Sequence, residues 1–432
     1  MAMREADPIA PPVPIPFEIL QPIFCLYCQS SNFRGLETDP RDTLAVFTLM
    51  QVCLAWQQIV LKTPELWSAV FITHHPCPRD FELARRWLSR AGNIPRTLKF
   101  TFQSSNHVPL TATHDLISQY PFRTLRFEAY LSNRMVDFSK IRAESLLPLE
   151  RLEFSRHSGY PHIELTFPPH TFPNLLSLQI SGSFKILPFK TMPWPSLRQL
   201  DMFGVIPPSL SESLTILRDA TALEHAKIVV LVDTEVPSTG GIVAANLSVL
   251  NVGFDTSCNA GNFLDMLTAP KLKALTLDNH YGSGIMECDI SALRRFVALS
   301  GIEMEELSIS RTTMPLSVGA LLDCMPSLRR LELCTNSLLD EDSMKRIANG
   351  ELGPRLEELT IRVQLISPEA AAPILAMIES RQSSQSETRR GHSYVKKVMI
   401  RVLGKGPAKF LRNYKEQLGE LKGTVEFRLF LE

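Results

Sequence analysis

The feature that most constrains this chain is a six-residue pattern that recurs along most of its length. Two apolar positions flank one variable residue, and a third apolar position lies three before the first. The pattern reads LERLEF at 149–154, LLSLQI at 175–180, LRQLDM at 197–202, LEHAKI at 223–228, LSVLNV at 247–252 and LKALTL at 272–277. It continues as MEELSI at 304–309, LRRLEL at 328–333, LEELTI at 356–361 and VKKVMI at 395–400, and FRTLRF at 122–127 is a weaker first member. Alternating apolar and variable residues make a strand with one buried face. Plausible helices follow several copies, as in SESLTILRDA at 211–220, ISALRRFVAL at 290–299 and PEAAAPILAMIES at 368–380. Strand, helix, strand at this spacing implies stacked parallel strands joined by right-handed crossovers. No single unit can bury its own apolar edge, so about ten of them must share one core.

Consecutive copies start 22 to 39 residues apart, mostly within the range of leucine-rich repeats. The array is irregular. The full repeat ends in Asn, and only LRRLELCTN, ending at Asn336, has it in place; His157, Ser183, Asp255 and His280 occupy the slot elsewhere. The polar stretch SRQSSQSETRRGHS at 380–393 reads as a mobile loop, and TVEFRLFLE reads as a last, capping strand.

The N-terminal part differs. Residues 1–13 hold three prolines without apolar periodicity and read as a disordered tail. Ile19, Leu20, Ile23, Phe24 and Tyr27 follow helical spacing just after Pro14 and Pro16. NFRGLETDPRD reads as a loop. A second helix is expected through Leu44, Phe47, Leu49, Val52, Cys53, Trp56, Ile59 and Val60, then a turn at TPELW and an extended exit at SAVFI. RDFELARRWLSRA at 79–91 gives another helix, ended by Gly92 to Pro95. The organisation expected is a tail at 1–13, a helical module at 14–72, a helical linker at 73–95 and the repeat array at 96–432.

The helical module resembles the F-box family. The opening motif of that family stands here as Ile15, Pro16, Glu18, Ile19, Leu20, Ile23 and Phe24, its second motif as Val52, Cys53 and Trp56, and its closing PELW as Pro64 to Trp67. Ile15 replaces the usual Leu, and the link between the helices, from about Cys28 to Arg41, is longer than the family pattern. WLSRAGNIP and the leucine-rich remainder look like the large F-box families of filamentous and mushroom-forming fungi. The fold class expected is therefore α/β: a small N-terminal F-box and an irregular leucine-rich-repeat solenoid with parallel strands and convex helices or loops. The resemblance implies a substrate-recognition subunit of an SCF-type ubiquitin ligase, docking on a Skp-type adaptor and through it a cullin, while the repeat surface binds a protein substrate. Carried over position by position, the adaptor-facing residues are Pro16, Ile19, Leu20, Ile23, Phe24, Val52 and Trp56. The alternative is a leucine-rich scaffold with no cullin or ubiquitin role.

Composition excludes several other classes. Lys plus Arg and Asp plus Glu number 45 each, so there is no bulk attraction to nucleic acid or an anionic membrane. No apolar run approaches the length of a membrane span, and the proline-rich start does not read as a signal peptide. Eight cysteines without repeated spacing suggest reduced thiols in the cytoplasm or nucleus. Cys25 and Cys28 form a CxxC, but no second pair or histidine set completes a metal site. LGKGPAKF at 403–410 lacks the spacing of a phosphate loop. The sequon at Asn246 falls within a repeat strand and reads as unused. No catalytic constellation or cofactor fingerprint stands out, and the chain reads as a non-enzyme. The better candidate is the outward face of the strands. There Arg330, Arg362, Lys397 and Arg401 form a basic group suited to an acidic or phosphorylated substrate segment.

Overall fold

The computed structural model describes residues 15–30, 36–37, 45–72, 76–102, 110–130, 136–157, 162–168, 172–187, 194–231, 241–254, 259–279, 286–364, 372–383, 397–403 and 426–431. The fold is α/β and repeat-like, with parallel strands alternating with helices, in two compact units, Met1–Asn174 and Leu175–Glu432. The division falls inside the run of repeated strands.

In the first unit, helix α1 spans Phe17–Ser30, α2 Ala45–Val52 and α3 Leu54–Leu61. The expected second helix is thus broken at Cys53, whose backbone is extended at φ −163°; neither Val52 nor Cys53 favours helix strongly. Leu36–Glu37, within the expected loop, forms a short strand β1 paired in parallel with β2, Ala69–Ile72. Then come α4 (Pro78–Leu88), β3 (Arg96–Phe102), α5 (Leu110–Gln119), β4 (Phe122–Ala129), α6 (Ala143–Leu146), β5 (Arg151–Arg156) and β6 (Ile163–Thr166). Strands β1 to β5 pair in sequence order, all parallel. Their register aligns Leu98, Leu125 and Leu152 in one inner rank and Phe100, Phe127 and Phe154 in the next, all at most 1% exposed. Phe127 stacks on Phe154 at 5.4 Å, and Phe138 meets Phe154 edge-on at 6.0 Å and Phe172 at 5.3 Å. Such pairs add attraction beyond the area they bury.

The second unit holds β7 (Ser177–Ser181), β8 (Phe184–Leu187), β9 (Gln199–Asp201), α7 (Leu210–Asp219), β10 (His225–Val230), β11 (Ile242–Val243) and β12 (Val249–Phe254). It goes on through α8 (Ala260–Leu264), β13 (Leu267–Thr268), β14 (Ala274–Asn279), α9 (Ile290–Ser300), β15 (Glu306–Ser310), β16 (Leu316–Ser317), α10 (Val318–Cys324) and β17 (Arg330–Leu338). Last are α11 (Glu341–Ala348), β18 (Glu358–Gln364), α12 (Ala372–Ser383), β19 (Lys397–Leu403) and β20 (Glu426–Leu431). The main ladder runs β7, β9, β10, β12, β14, β15, β17, β18, β19, β20, parallel throughout. Each strand from β7 on in that ladder is one copy of the sequence pattern or the expected final strand. Leu178, Leu200, Ala226, Leu250, Leu275, Leu307, Leu331 and Leu359 fall in one continuous inner rank, none more than 2% exposed.

Short polar caps start the intervening helices. Ser209, Asn259, Asp289, Ser317 and Asp340 each accept a hydrogen bond from a backbone N–H of the first turn, satisfying donors that have no intrahelical partner. Gly301, at φ 61°, closes α9 in the left-handed region, which glycine adopts without steric cost. One polar lock was not visible in the sequence. Arg381 on α12 is 5% exposed and donates to the carbonyls of Ile347 at 2.8 Å, Leu352 at 3.2 Å and Gly353 at 2.6 Å. It ties the end of α11 to the turn before β18. Burial pushes its guanidinium down to about 10, so it remains a cation at neutral pH.

Two expectations need correction here. Residues 380–383, expected in a loop, are helical as the end of α12; the rest of the 380–393 stretch lies outside the described residues. Asn246 sits in a turn ahead of β12, where its amide donates to the Thr221 carbonyl at 2.9 Å and accepts from Lys271 at 2.8 Å.

Asn279 stands out in the core. It lies in register with Phe254, is 0% exposed, and neither end of its amide has a hydrogen-bond partner among the described residues. An unbonded buried amide costs roughly 1–3 kcal/mol. Asn279→Leu is therefore expected to raise stability by about 1 kcal/mol, read as a higher midpoint in chemical denaturation. A lower midpoint would show that the amide is bonded in solution.

Candidate functional site

Helix α1 is apolar on two neighbouring faces, and they have different fates. Leu20, Phe24 and Cys28, four residues apart, point inward and are 7%, 1% and 8% exposed. Ile19, Ile23 and Leu26, at helical spacing on the next face, are 52%, 48% and 64% exposed, and Ile15, just ahead of the helix, is 56% exposed. Tyr27 on α1, Phe47 and Val52 on α2, and Leu54 and Leu61 on α3 are exposed as well. The described residues from 15 to 72 carry only four charged side chains, Glu18, Glu37, Lys62 and Glu65. A contact made through this surface is apolar rather than electrostatic.

The seven residues expected to face an adaptor therefore divide. Pro16, Ile19, Ile23 and Val52 are exposed. Leu20 and Phe24 are not available to a partner, because they form the module's interior. Trp56 is half-buried, its ring 4.7 Å from that of Phe24, so it holds α3 against α1 while keeping an accessible edge. Ile15, Leu26, Tyr27 and Leu54 were passed over; their signal was being large, apolar and off the inward stripe.

The PELW segment is a structural clasp. Pro64 opens a 3-10 turn, and Trp67 is fully buried. Its Nε1–H donates to the Val60 carbonyl at 2.9 Å, its ring lies 4.5 Å from that of Trp87, and the Arg90 guanidinium sits 4.6 Å from its centroid. Thr63, also fully buried, donates its hydroxyl to the Ile59 carbonyl at 2.8 Å.

The CxxC is not poised for metal. Burial raises both thiols, Cys28 to about 11, so the thiolate form is disfavoured at neutral pH. Among the described residues no three metal-ligating side chains converge.

The basic group on the sheet face changes character in the folded chain. Arg330 bridges two acids, with Nη1 2.9 Å from Glu306 and Nε 3.1 Å from Glu358, and its pKa is raised first by the hydrogen bond it donates to Glu358. Backbone register extends the alternation as Glu306, Arg330, Glu358, Lys397, Glu426. Arg330 is therefore already compensated, and it is not a free phosphate grip as expected. Arg362 and Arg401 face each other across β18 and β19 in register; the side chains of Arg362, Lys397 and Arg401 lie outside the described residues. The first unit pairs its outward charges likewise. Glu128, 8% exposed, takes Lys99 at 3.2 Å and Arg126 at 3.0 Å.

A cleft of about 290 Å³ lies between turns of the second unit, lined by residues that include Ile302, Met325, Pro326 and Pro354. Glu303 and Arg355 form an ion pair of 3.6 Å at its lining.

Truncation separates the two faces of α1. Phe24→Ala is expected to destabilise the protein by about 3–5 kcal/mol. Ile23→Ser, one position earlier and exposed, is expected to change stability by no more than about 0.5 kcal/mol. Equal losses in a denaturation experiment would mean that the Ile23 face is packed in solution.

No family model matches this chain, and no curated protein matches it. Among solved structures, a Bacteroides fragilis protein determined by structural genomics is similar over 81% of this chain and 82% of its own, at 12% identity and a TM-score of 0.29.

Proposed function

We propose that this chain is the substrate-recognition subunit of an SCF-type ubiquitin ligase. The observation that carries the reading is the exposed apolar face of α1 to α3, built from Ile15, Ile19, Ile23, Leu26, Val52 and Leu54. A small soluble module that leaves this many large apolar side chains in water, with few charges among them, is shaped for a partner. The F-box-like order of the motifs names that partner as a Skp-type adaptor, and through it a cullin. In this reading the module is the handle and the repeat strands carry the substrate surface. The protein breaks no bonds itself. It raises the effective concentration of a substrate's lysines near a charged ubiquitin-conjugating enzyme by tethering. The compartment that follows is the cytoplasm or nucleus.

The test is co-purification with a Skp-type adaptor, for wild type and for the triple variant Ile19→Ser, Ile23→Ser, Leu26→Ser. At about 1–2 kcal/mol per anchor, the variant is expected to weaken binding by at least roughly 100-fold while melting as the wild type does. Adaptor binding without cullin, or no adaptor binding by the wild type, would replace this reading with a leucine-rich scaffold outside ubiquitin transfer.

A further inference from the structure

Helix α1 carries a proline in its interior, at Pro22, well inside the span from Phe17 to Ser30. The helix is regular ahead of it, where the N–H groups of Ile19 and Leu20 donate to the Pro16 carbonyl at 3.1 and 3.2 Å. Proline has no N–H, so the helical bond from position 22 to the Glu18 carbonyl is not made, and the ring presses that carbonyl away from the axis. No residue is less favourable in the interior of a helix.

Pro22 takes no part in the buried stripe of α1. Inward contact runs through Leu20, Phe24 and Cys28, and Phe24 reaches the Trp56 ring at 4.7 Å. Pro22 is exposed. It falls three residues after Ile19 and four before Leu26, beside Ile23, in the middle of the exposed apolar stripe. Nor is it among the positions that the F-box-like motif specifies. A residue that breaks a local rule with no gain in packing marks a position kept for another purpose.

The backbone supplies that purpose. A helical carbonyl points along the axis toward the residue four places on, so the Glu18 carbonyl opens toward Pro22 and onto the same stripe. It is an acceptor set in a surface whose side chains, Ile19, Ile23 and Leu26, offer none. An acceptor covered by an apolar contact without a donor costs free energy, so a partner that fits this stripe has to bring a donor to this point.

We propose that Pro22 is a specificity-determining residue of the docking face. By withholding an N–H it keeps the Glu18 carbonyl open, and the adaptor donates a hydrogen bond there from a side-chain N–H or O–H, in the middle of an otherwise apolar contact. Apolar partners without that donor are rejected, because they leave the carbonyl covered and unbonded. The proposal deepens the recognition-subunit reading and rests on it for the identity of the partner.

The test uses the full chain and a purified Skp-type adaptor. Glu18–Ile19 is the only Glu–Ile pair in the sequence. A chain isotope-labelled at the glutamate carbonyl carbon and the isoleucine amide nitrogen therefore gives one carbonyl–amide correlation in its NMR spectrum, that of Glu18. Its carbonyl carbon is expected to move downfield when the adaptor is added, as a carbonyl does on accepting a hydrogen bond. Pro22→Ala, which restores the helical N–H, is expected to raise the denaturation midpoint and to weaken adaptor binding roughly five- to tenfold. Pro22→Leu restores the N–H while enlarging the apolar side chain, and it is expected to weaken binding as well. Unaltered binding in Pro22→Ala, wild-type affinity in Pro22→Leu, or a Glu18 carbonyl that does not shift on binding overturns the proposal. Each of these outcomes keeps the recognition subunit, since the wild type still binds. No adaptor binding by the wild type overturns the recognition-subunit reading and this proposal with it.

Discussion

Everything in the repeat array depends on one constraint: a parallel strand with one apolar face has to find another strand like itself. Each unit contributes two or three inward residues, such as Leu275 and Leu277 on β14, too few to close a core alone. Hydrogen bonding in register to the next strand sets those residues beside Leu307 and Ile309, and the ranks become continuous. The same register that buries the inner ranks orders the outer ones, because the side-chain period of a strand is two. Core and surface are thus specified together.

That coupling explains how the outward charges behave. Residues that are 24 to 28 positions apart in the chain, such as Glu306, Arg330 and Glu358, become neighbours. Read singly, Arg330 is a cation available to a ligand; read in its rank, it is the middle of an acid–base–acid triplet. Neutral positions in the middle of the array, Asn251, Thr276 and Ser308, fall into one half-buried outward rank by the same register. Such surface pairs contribute little stability, and their main effect is to decide which charges stay available.

The N-terminal module follows a different logic. Its helices are short and apolar on more than one face, and the interior formed by Leu20, Phe24, Leu49, Val60 and Trp67 uses only part of that surface. The clasp at Trp67 and Trp87 fixes the module while leaving the Ile19, Ile23 and Leu26 face unused. A family-like motif and a core requirement overlap in the same few residues, and so membership of the motif does not distinguish contact from packing.

The sequence alone determined the repeated strands, their order and their inward faces, because a period of two and a recurrence of roughly 25 residues are local signals. Several helices, among them α1, α4, α7 and α9, were legible through their apolar spacing, whereas α5, α6, α8, α10 and α11 were not singled out. Three things were decided only by tertiary structure. One is the break at Cys53, where weak local preference yields to packing. Another is the lock made by Arg381, whose three carbonyl partners lie 28 to 34 residues away in the chain. The last is which apolar and charged side chains remain available, Ile23 rather than Phe24 on α1, and an Arg330 already held by Glu306 and Glu358. Availability is a property of what lies alongside, and a sequence specifies its neighbours across strands only once the register is made.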